Sequence, residues 1–312
     1  MLYLTEEDVR KLLPMAKCIR LMRETFEALA SGTALNQPRR RLFLPTGSVL
    51  HSMAGAIGPY FGTKYYAVNV KHGAHFFFSL FDAATARPLA LMEANWLGQI
   101  RTGAASGYVT DLLARKDAAK LGVIGSGFQA RSQVEAALAV RKIGQVSVYS
   151  RGAARRATFA EQCRRAFRVE VEATETAAEA IEGADIVITA TFAKDPVIED
   201  AWIRPGAHIN AMGSNNPQRR EIPASVIARA DLIAVDSIEQ ARIESGDLLL
   251  AWSEEDWKTP RLVEVQNLAA YERKPDAVTL FKSNGLGVQD VAAAGFVYER
   301  ALAMGFGKRI YS

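Results

Sequence analysis

Three basic residues stand where apolar segments would bury them. Arg41 opens a run of strand-forming residues, Lys64 lies among Phe61, Gly62, Thr63, Tyr65 and Tyr66, and Arg101 and Thr102 interrupt a helical pattern whose spaced positions, Leu97, Ile100, Ala104, Tyr108 and Leu112, are otherwise apolar. A cation withdrawn from water needs an anionic partner. If the three converge, a small carboxylate is the natural ligand, because a guanidinium offers it two parallel N–H donors. Taken singly, each reads more readily as a surface or structural charge.

A second stretch could hold phosphate. An apolar run at 121–124 leads into Gly125, Ser126, Gly127, Phe128, Gln129 and Ala130, and an amphipathic run follows. That order is strand, tight turn, helix. In a dinucleotide site the first glycine makes the turn, the second lets the backbone approach the pyrophosphate, and the third small residue lets the helix pack on the strand. The phosphates then meet N–H groups at the helix N-terminus. The same stretch also fits a glycine-rich turn that binds nothing. About twenty residues further on, where an acid usually receives the ribose hydroxyls of NAD, the chain has Tyr149, Ser150 and Arg151, with Arg155 or Arg156 a turn later. A hydroxyl beside guanidinium groups suits a 2′-phosphate, so NADPH is expected, with NADH the weaker cofactor. The other reading leaves these arginines on a solvated helix start, where the helix dipole disfavours cations.

The elements that must position these groups fall into two patterns. Two short helices, over residues 5–13 and 14–31, precede five consecutive strands expected at 41–44, 49–54, 60–70, 75–81 and 88–92. Consecutive strands argue for an antiparallel sheet. A long helix from Asn95 delivers the chain to the glycine turn. From there strands at 121–124, 145–149, 186–189, 208–211, 232–235 and 278–281 alternate, through the first four, with helices at 130–141, 153–167 and 176–181. Such alternation predicts an α/β Rossmann domain, a doubly wound parallel sheet. Residues 246–275 give no clear pattern, and an apolar helix closes the chain at 288–303.

Composition narrows the partners. The net charge of +4 comes from small basic clusters with few interleaved aromatics, which argues against nucleic acid. No apolar stretch approaches the ~18 residues of a membrane span. Cys18 and Cys163 lack a partner motif and fit free thiols in a reducing cytoplasm. The four histidines, His51, His72, His75 and His208, show no ligand spacing, so no metal is expected. A satisfied strand histidine is the simpler reading of His51.

Arg41 with Pro45, His51 to Met53, Gly62 to Lys64, Ile100 to Gly103, the Gly125 turn, Ile209 to Gly213, Val235 to Ser237, Glu244 to Asp247, Phe281 to Ser283 and Asp290 occur in an order that resembles the ornithine cyclodeaminase and mu-crystallin family over nearly the whole chain. The resemblance implies a discontinuous α+β dimerisation and substrate domain, residues 1–115 completed by 288–312, around an NAD(P)-binding domain at 116–287. It further implies a homodimer with the active site between the domains. Carried over, Arg41, Lys64 and Arg101 match the family's carboxylate-binding positions, Met53 and Thr102 line the substrate site, and Thr102, Met212 and Asn284 adjoin the cofactor. One departure matters. Cyclodeaminases of this family carry an acid in the loop after the fourth Rossmann strand named above, where this chain has Asn215. An amide can orient an amine but cannot take its proton. The resemblance therefore implies NADPH-dependent reduction of a small, cyclic 2-imino acid such as pyrroline- or piperideine-2-carboxylate. Arg101 and Lys64 would act on the substrate, and Lys64 is the candidate proton donor. An alanine dehydrogenase-like enzyme, an ornithine cyclodeaminase, and a non-catalytic NADPH- or ligand-binding protein of the mu-crystallin type stay open as alternatives.

Overall fold

A computed structural model describes residues 1–310 of the chain. It divides into two compact units, Met1–Ala104 with Gly285–Ser312, and Ala105–Asn284. The boundaries expected at 115 and 287 differ from these, and the last two residues of the expected 288–312 segment lie outside the described residues. One division falls inside a long helix, where no local sequence signal marks it.

The first unit is built on strands β1 (Leu2–Leu4), β2 (Ala34–Phe43), β3 (Val49–Ile57), β4 (Tyr60–Asn69), β5 (Gly73–Asp82) and β6 (Pro88–Glu93), with helices α1 (Glu6–Leu12) and α2 (Met15–Ala30) and the start of α3 (Asn95–Leu113). Strands β2 to β6 form an antiparallel meander. Strand β1, too short to show a period, pairs in parallel with β6 and antiparallel with the terminal strand β15 (Lys308–Arg309). The closing helix α10 (Gly287–Met304) lies on one face of this sheet, against β3, β4 and α2. It comes close because two glycines meet there. A Cβ on Gly287 would stand 2.6 Å from the Ala54 carbonyl oxygen, and one on Gly55 would stand 2.6 Å from the Val288 backbone. Strand β2 begins seven residues before the expected strand at Arg41, because Asn36, Gln37 and Pro38 read as turn residues yet occupy a sheet edge.

The second unit is an eight-stranded, all-parallel sheet. It contains β7 (Lys120–Ile124), β8 (Gln145–Tyr149), β9 (Glu170–Ala173), β10 (Ile186–Thr189), β11 (His208–Ala211), β12 (Leu232–Val235), β13 (Leu262–Glu264) and β14 (Thr279–Lys282). Their order is β13-β12-β14-β11-β10-β7-β8-β9. The chain moves outward from β7 through β8 to β9 and then crosses back to β10. That reversal between β7 and β10 is where open α/β sheets bind ligands. Helices α4 (Phe128–Val140) and α5 (Ala153–Phe167) build one apolar layer with Val123, Val146 and Ile188. On the other face α6 (Ala177–Ile181) and α7 (Ala224–Arg229) pack with Val187, Ile209 and Leu280. Adjacent residues Val187 and Ile188 thus serve opposite layers, as doubly wound strands require. The stretch without a clear pattern holds α9 (Gly246–Leu249) and β13, which follow α8 (Ile238–Glu244); elements this short leave no periodicity.

His208 sits at the base of this core, fully buried, with Nδ1 2.9 Å from the Thr279 hydroxyl. Burial pushes its pKa down to about 3. The folded state therefore holds the neutral ring, and its contribution to stability is present above the unfolded pKa and lost as pH falls from about 6.5 toward 3. The loss amounts to about 1.4 kcal/mol per pH unit in that window. His208→Asn, measured by denaturant unfolding at a series of pH values, should flatten that dependence by close to one proton. An unchanged slope would place the acid sensitivity elsewhere.

Candidate active site

The first unit carries a buried cluster of cations around one carboxylate. Lys64, on β4, points to the face that α10 covers, and Arg101 comes from α3. Both meet Asp290 in the first turn of α10. The Lys64 Nζ lies 2.8 Å from both Asp290 oxygens, with hydrogen-bond geometry only to Oδ1. Arg101 Nε donates to the same Oδ1 at 3.0 Å, and its Nη1 donates to the Gln289 amide oxygen at 3.2 Å. Asp290 is 0% exposed, Lys64 3% and Arg101 5%. The anionic partner demanded by two of the three expected cations is therefore supplied by the chain itself. In the sequence Asp290 carries part of the family resemblance but no role, since nothing local ties it to residues 226 and 189 positions away.

A fourth cation was missed. The pairing of β2 with β3 shifts between Gln37 and Arg40, so the inward positions change from Ala34 and Asn36 to Arg39 and Arg41. Arg39 is 5% exposed and Arg41 is half-buried. Arg39 was the deeper of the two, and the signal was available only through the bulge. Their charges are felt nearby. Burial, with Arg39 and Arg41 adding repulsion, brings His51 down to about 4, and its ring stacks on Tyr66 at 4.3 Å. Burial also lowers Lys64, next to Arg101 and opposed by Asp290, to about 7. In both shifts burial acts first and the neighbouring guanidinium groups add to it. Met53, directly across from Lys64 in the sheet, is buried and apolar.

The second unit carries the nucleotide cradle. Gly125 has φ +118°, a conformation only glycine adopts readily, and a Cβ there would come 2.4 Å from the Ala190 carbonyl oxygen at the end of β10. A Cβ on Gly127 would meet nothing within 4 Å. The turn is thus closed on the protein side and open where a pyrophosphate would sit. Gly127 is also the N-cap of α4 and has no side chain to cap it, so the residues present fit a dinucleotide phosphate. Gln129 is half-buried, Phe128 is 47% exposed, and Ala130 is buried against the strand layer. At the tip of β8 the Ser126 and Ser150 hydroxyls lie 2.8 Å apart. Arg151 and Arg155 are exposed, and Arg155 lines a depression with Ser126, Ala154 and Thr158. Arg156 turns inward instead. It donates to the Ser150 carbonyl at 2.8 Å and to Glu175 at 2.9 Å, so Arg155 is the exposed guanidinium of the two.

Residues 1–305 match the model of the ornithine cyclodeaminase/mu-crystallin family. The chain belongs to this family. It is 39% identical over 236 residues to a Delta(1)-pyrroline-2-carboxylate reductase of Bacillus cereus, covering 74% of this chain and 72% of that protein. It is 32% identical to an alanine dehydrogenase of Archaeoglobus fulgidus, across 99% of this chain and 98% of the relative. The structure of Thermococcus litoralis Delta(1)-pyrroline-2-carboxylate reductase in complex with NADH and L-proline superposes with a TM-score of 0.94 at 32% identity, covering 99% of this chain and 100% of that one.

The remaining positions that the family suggests divide between the units. In the first, Thr102 is half-buried and donates its hydroxyl to the Gly98 carbonyl at 2.7 Å. In the second, Met212 is buried and its sulfur accepts from the Ser106 hydroxyl at 3.2 Å. Asn284 follows β14, where Asp236 accepts from the Ser283 hydroxyl at 2.8 Å and the Asn284 N–H at 2.6 Å. Asn215 is half-buried in the loop after β11. That loop is anchored on both sides. Glu221 accepts from the Gly213 N–H at 2.7 Å, and Lys282, itself 2.8 Å from Asp247, donates to the Ser214 carbonyl at 2.5 Å. Among the described residues, no helix is long and apolar enough to cross a membrane.

Proposed function

We propose that this chain reduces a small cyclic 2-imino acid, of the pyrroline-2-carboxylate or piperideine-2-carboxylate kind, to the L-amino acid with NADPH as reductant. The observation that carries the reading is the buried cation cluster of the first unit. Lys64 and Arg101 are both buried on the single carboxylate of Asp290, an excess of one positive charge that favours an anionic ligand. Arg101, held on one side by Asp290 and Gln289, offers a carboxylate a preorganised guanidinium. When bound, NAD(P)H supplies the hydride. The chain's own work is to hold the substrate and keep its nitrogen protonated, which makes the imine carbon electrophilic. An ammonium whose pKa has been brought to about 7 is poised for that proton transfer at neutral pH, and Lys64 is such a group. Asn215, unlike a carboxylate, cannot take a proton from a substrate amine, which favours reduction over cyclodeamination. NADPH oxidation followed with pyrroline-2-carboxylate, piperideine-2-carboxylate, and pyruvate plus ammonia tests the assignment. Turnover of a cyclic imine is expected, and turnover of pyruvate plus ammonia alone would make the chain an alanine dehydrogenase.

The preference for NADPH rests on Ser150, Arg151 and Arg155 and on the missing acid at the tip of β8. A charge-assisted hydrogen bond to the 2′-phosphate contributes about 1.5 kcal/mol or more, roughly tenfold in affinity. Arg155→Ala and Arg151→Ala should each weaken NADPH by about that factor and leave NADH nearly unchanged, as read by cofactor titration. Equal losses for both cofactors would argue against the contact.

Homodimerisation belongs to the same proposal. The face of the first sheet turned away from α10 carries the stacked pairs Phe61 with Phe81 and Tyr65 with Phe77, and Leu35, Leu42 and Phe43 of edge strand β2 are more than 60% exposed. So much exposed apolar surface suits a second copy of the chain. Light scattering should give twice the chain mass.

A further inference from the structure

The carboxylate at the centre of the cation cluster has no substrate-binding role in the reading above, yet the local structure is fitted around it. Three residues of one short stretch serve Arg101: Gly285, Gln289 and Asp290. Gly285 has φ +75°, and a Cβ there would stand 2.3 Å from Arg101 Nη1, so the guanidinium occupies the space a side chain would take. Gln289 closes the N-terminus of α10 by accepting from the Leu286 N–H at 3.2 Å, and the same oxygen receives Arg101 Nη1. Asp290 then takes Arg101 Nε and the Lys64 ammonium on one oxygen. The first turn of α10 thus fixes two cations that come from different elements, a helix and a strand.

We propose that Asp290 is the positioning residue of this site, tying the Lys64 ammonium and the Arg101 guanidinium into one rigid unit that receives the substrate. The proposal rests on the reductase reading for what the unit receives. A whole buried ion pair can often be replaced by apolar groups without loss of stability, so a polar cluster built this specifically points to more than neutralisation. Here the geometry is specified three times over, by the glycine, the amide and the carboxylate. The two cations also have to act differently. A guanidinium does not exchange its charge in such a reaction, whereas Lys64 must give up a proton and regain it. A carboxylate within 2.8 Å of Nζ holds the ammonium in place and stabilises its charged form. The charged groups facing Lys64 are Arg101 from α3, Asp290 from α10 and Arg39 from β2, while its cross-strand neighbours, Met53 on β3 and Phe78 on β5, carry none. Asp290 is the one among these that raises Lys64.

The test uses the full chain and the variants Asp290→Asn and Asp290→Glu, with two readouts. The first is the Lys64 side-chain pKa, followed by NMR of lysine-labelled protein and assigned with Lys64→Arg. The second is imine reduction against pH, with NADPH binding as the control for the other unit. Asp290→Asn should lower the Lys64 pKa by about one unit or more, move the alkaline limb of kcat down with it, and raise KM for the imine about tenfold, with NADPH affinity unchanged. Asp290→Glu, which keeps the charge and displaces it, should hold the Lys64 pKa near its wild-type value while kcat/KM falls about tenfold. This second variant carries the test if Asp290→Asn does not fold. A Lys64 pKa that does not move in Asp290→Asn, or an Asp290→Glu enzyme with wild-type kcat/KM, overturns the proposal. Absence of imine turnover in the wild type would instead count against the reductase reading, and the NMR titration would still decide the role of Asp290.

Discussion

Arg101→Ala should lower kcat/KM for a cyclic imino acid by about a thousandfold while leaving NADPH affinity within about twofold, an expected loss of ~4 kcal/mol. The magnitude follows from what the truncation removes. Arg101 is 5% exposed, and its charge is held by Asp290 and Gln289 within the first unit. Taking it away deletes the planar donor set for the substrate carboxylate and leaves Asp290 with Lys64 alone. Arg101→Lys should not rescue it, because an ammonium cannot reproduce the guanidinium fork. Steady-state kinetics with a separate cofactor titration divides the effects. If Arg101→Ala keeps near-normal turnover, the carboxylate is held elsewhere, and Arg39 with Arg41 becomes the candidate.

Lys64→Met is expected to lose between about a hundredfold and ten-thousandfold in kcat, the range for removal of a general acid. Its pH profile should change as well. In the wild type the ammonium is the active form, and because burial and Arg101 bring its pKa down to about 7, activity is full below that value and falls as pH rises through it. A methionine cannot titrate, so the residual activity of Lys64→Met should lack that limb. Should the variant keep both its rate and its alkaline limb, the proton comes from water or from the substrate's own solution equilibrium.

These two residues were legible in the sequence because a cation within an apolar strand or helix is a local anomaly. The glycine turn was legible for a similar reason: strand, Gly125 to Ala130 and helix are contiguous, and every feature the cradle needs lies in one stretch. What joined the cations to each other was not. Asp290 reaches Lys64 only after α10 has packed on β3 through Gly55 and Gly287, a contact between residues more than two hundred positions apart. Arg39 was hidden by a register shift that no single-strand pattern reveals. Arg155 and Arg156 were interchangeable in the sequence, and only the helix phase of α5 and the position of Glu175 separate the exposed one from the buried one. Sequence patterns, in short, locate the unusual side chain; the partner that gives it a role depends on long-range packing.

Transfer of deuterium from NADPH carrying deuterium at both positions of the donating carbon tests the central claim most directly. Incubated with the wild-type protein and pyrroline-2-carboxylate, the labelled cofactor should give L-proline carrying one deuterium at the carbon that was the imine carbon, read by mass spectrometry and NMR. Proline without the label, or labelled alanine from pyruvate and ammonia with no proline formed, would contradict the account.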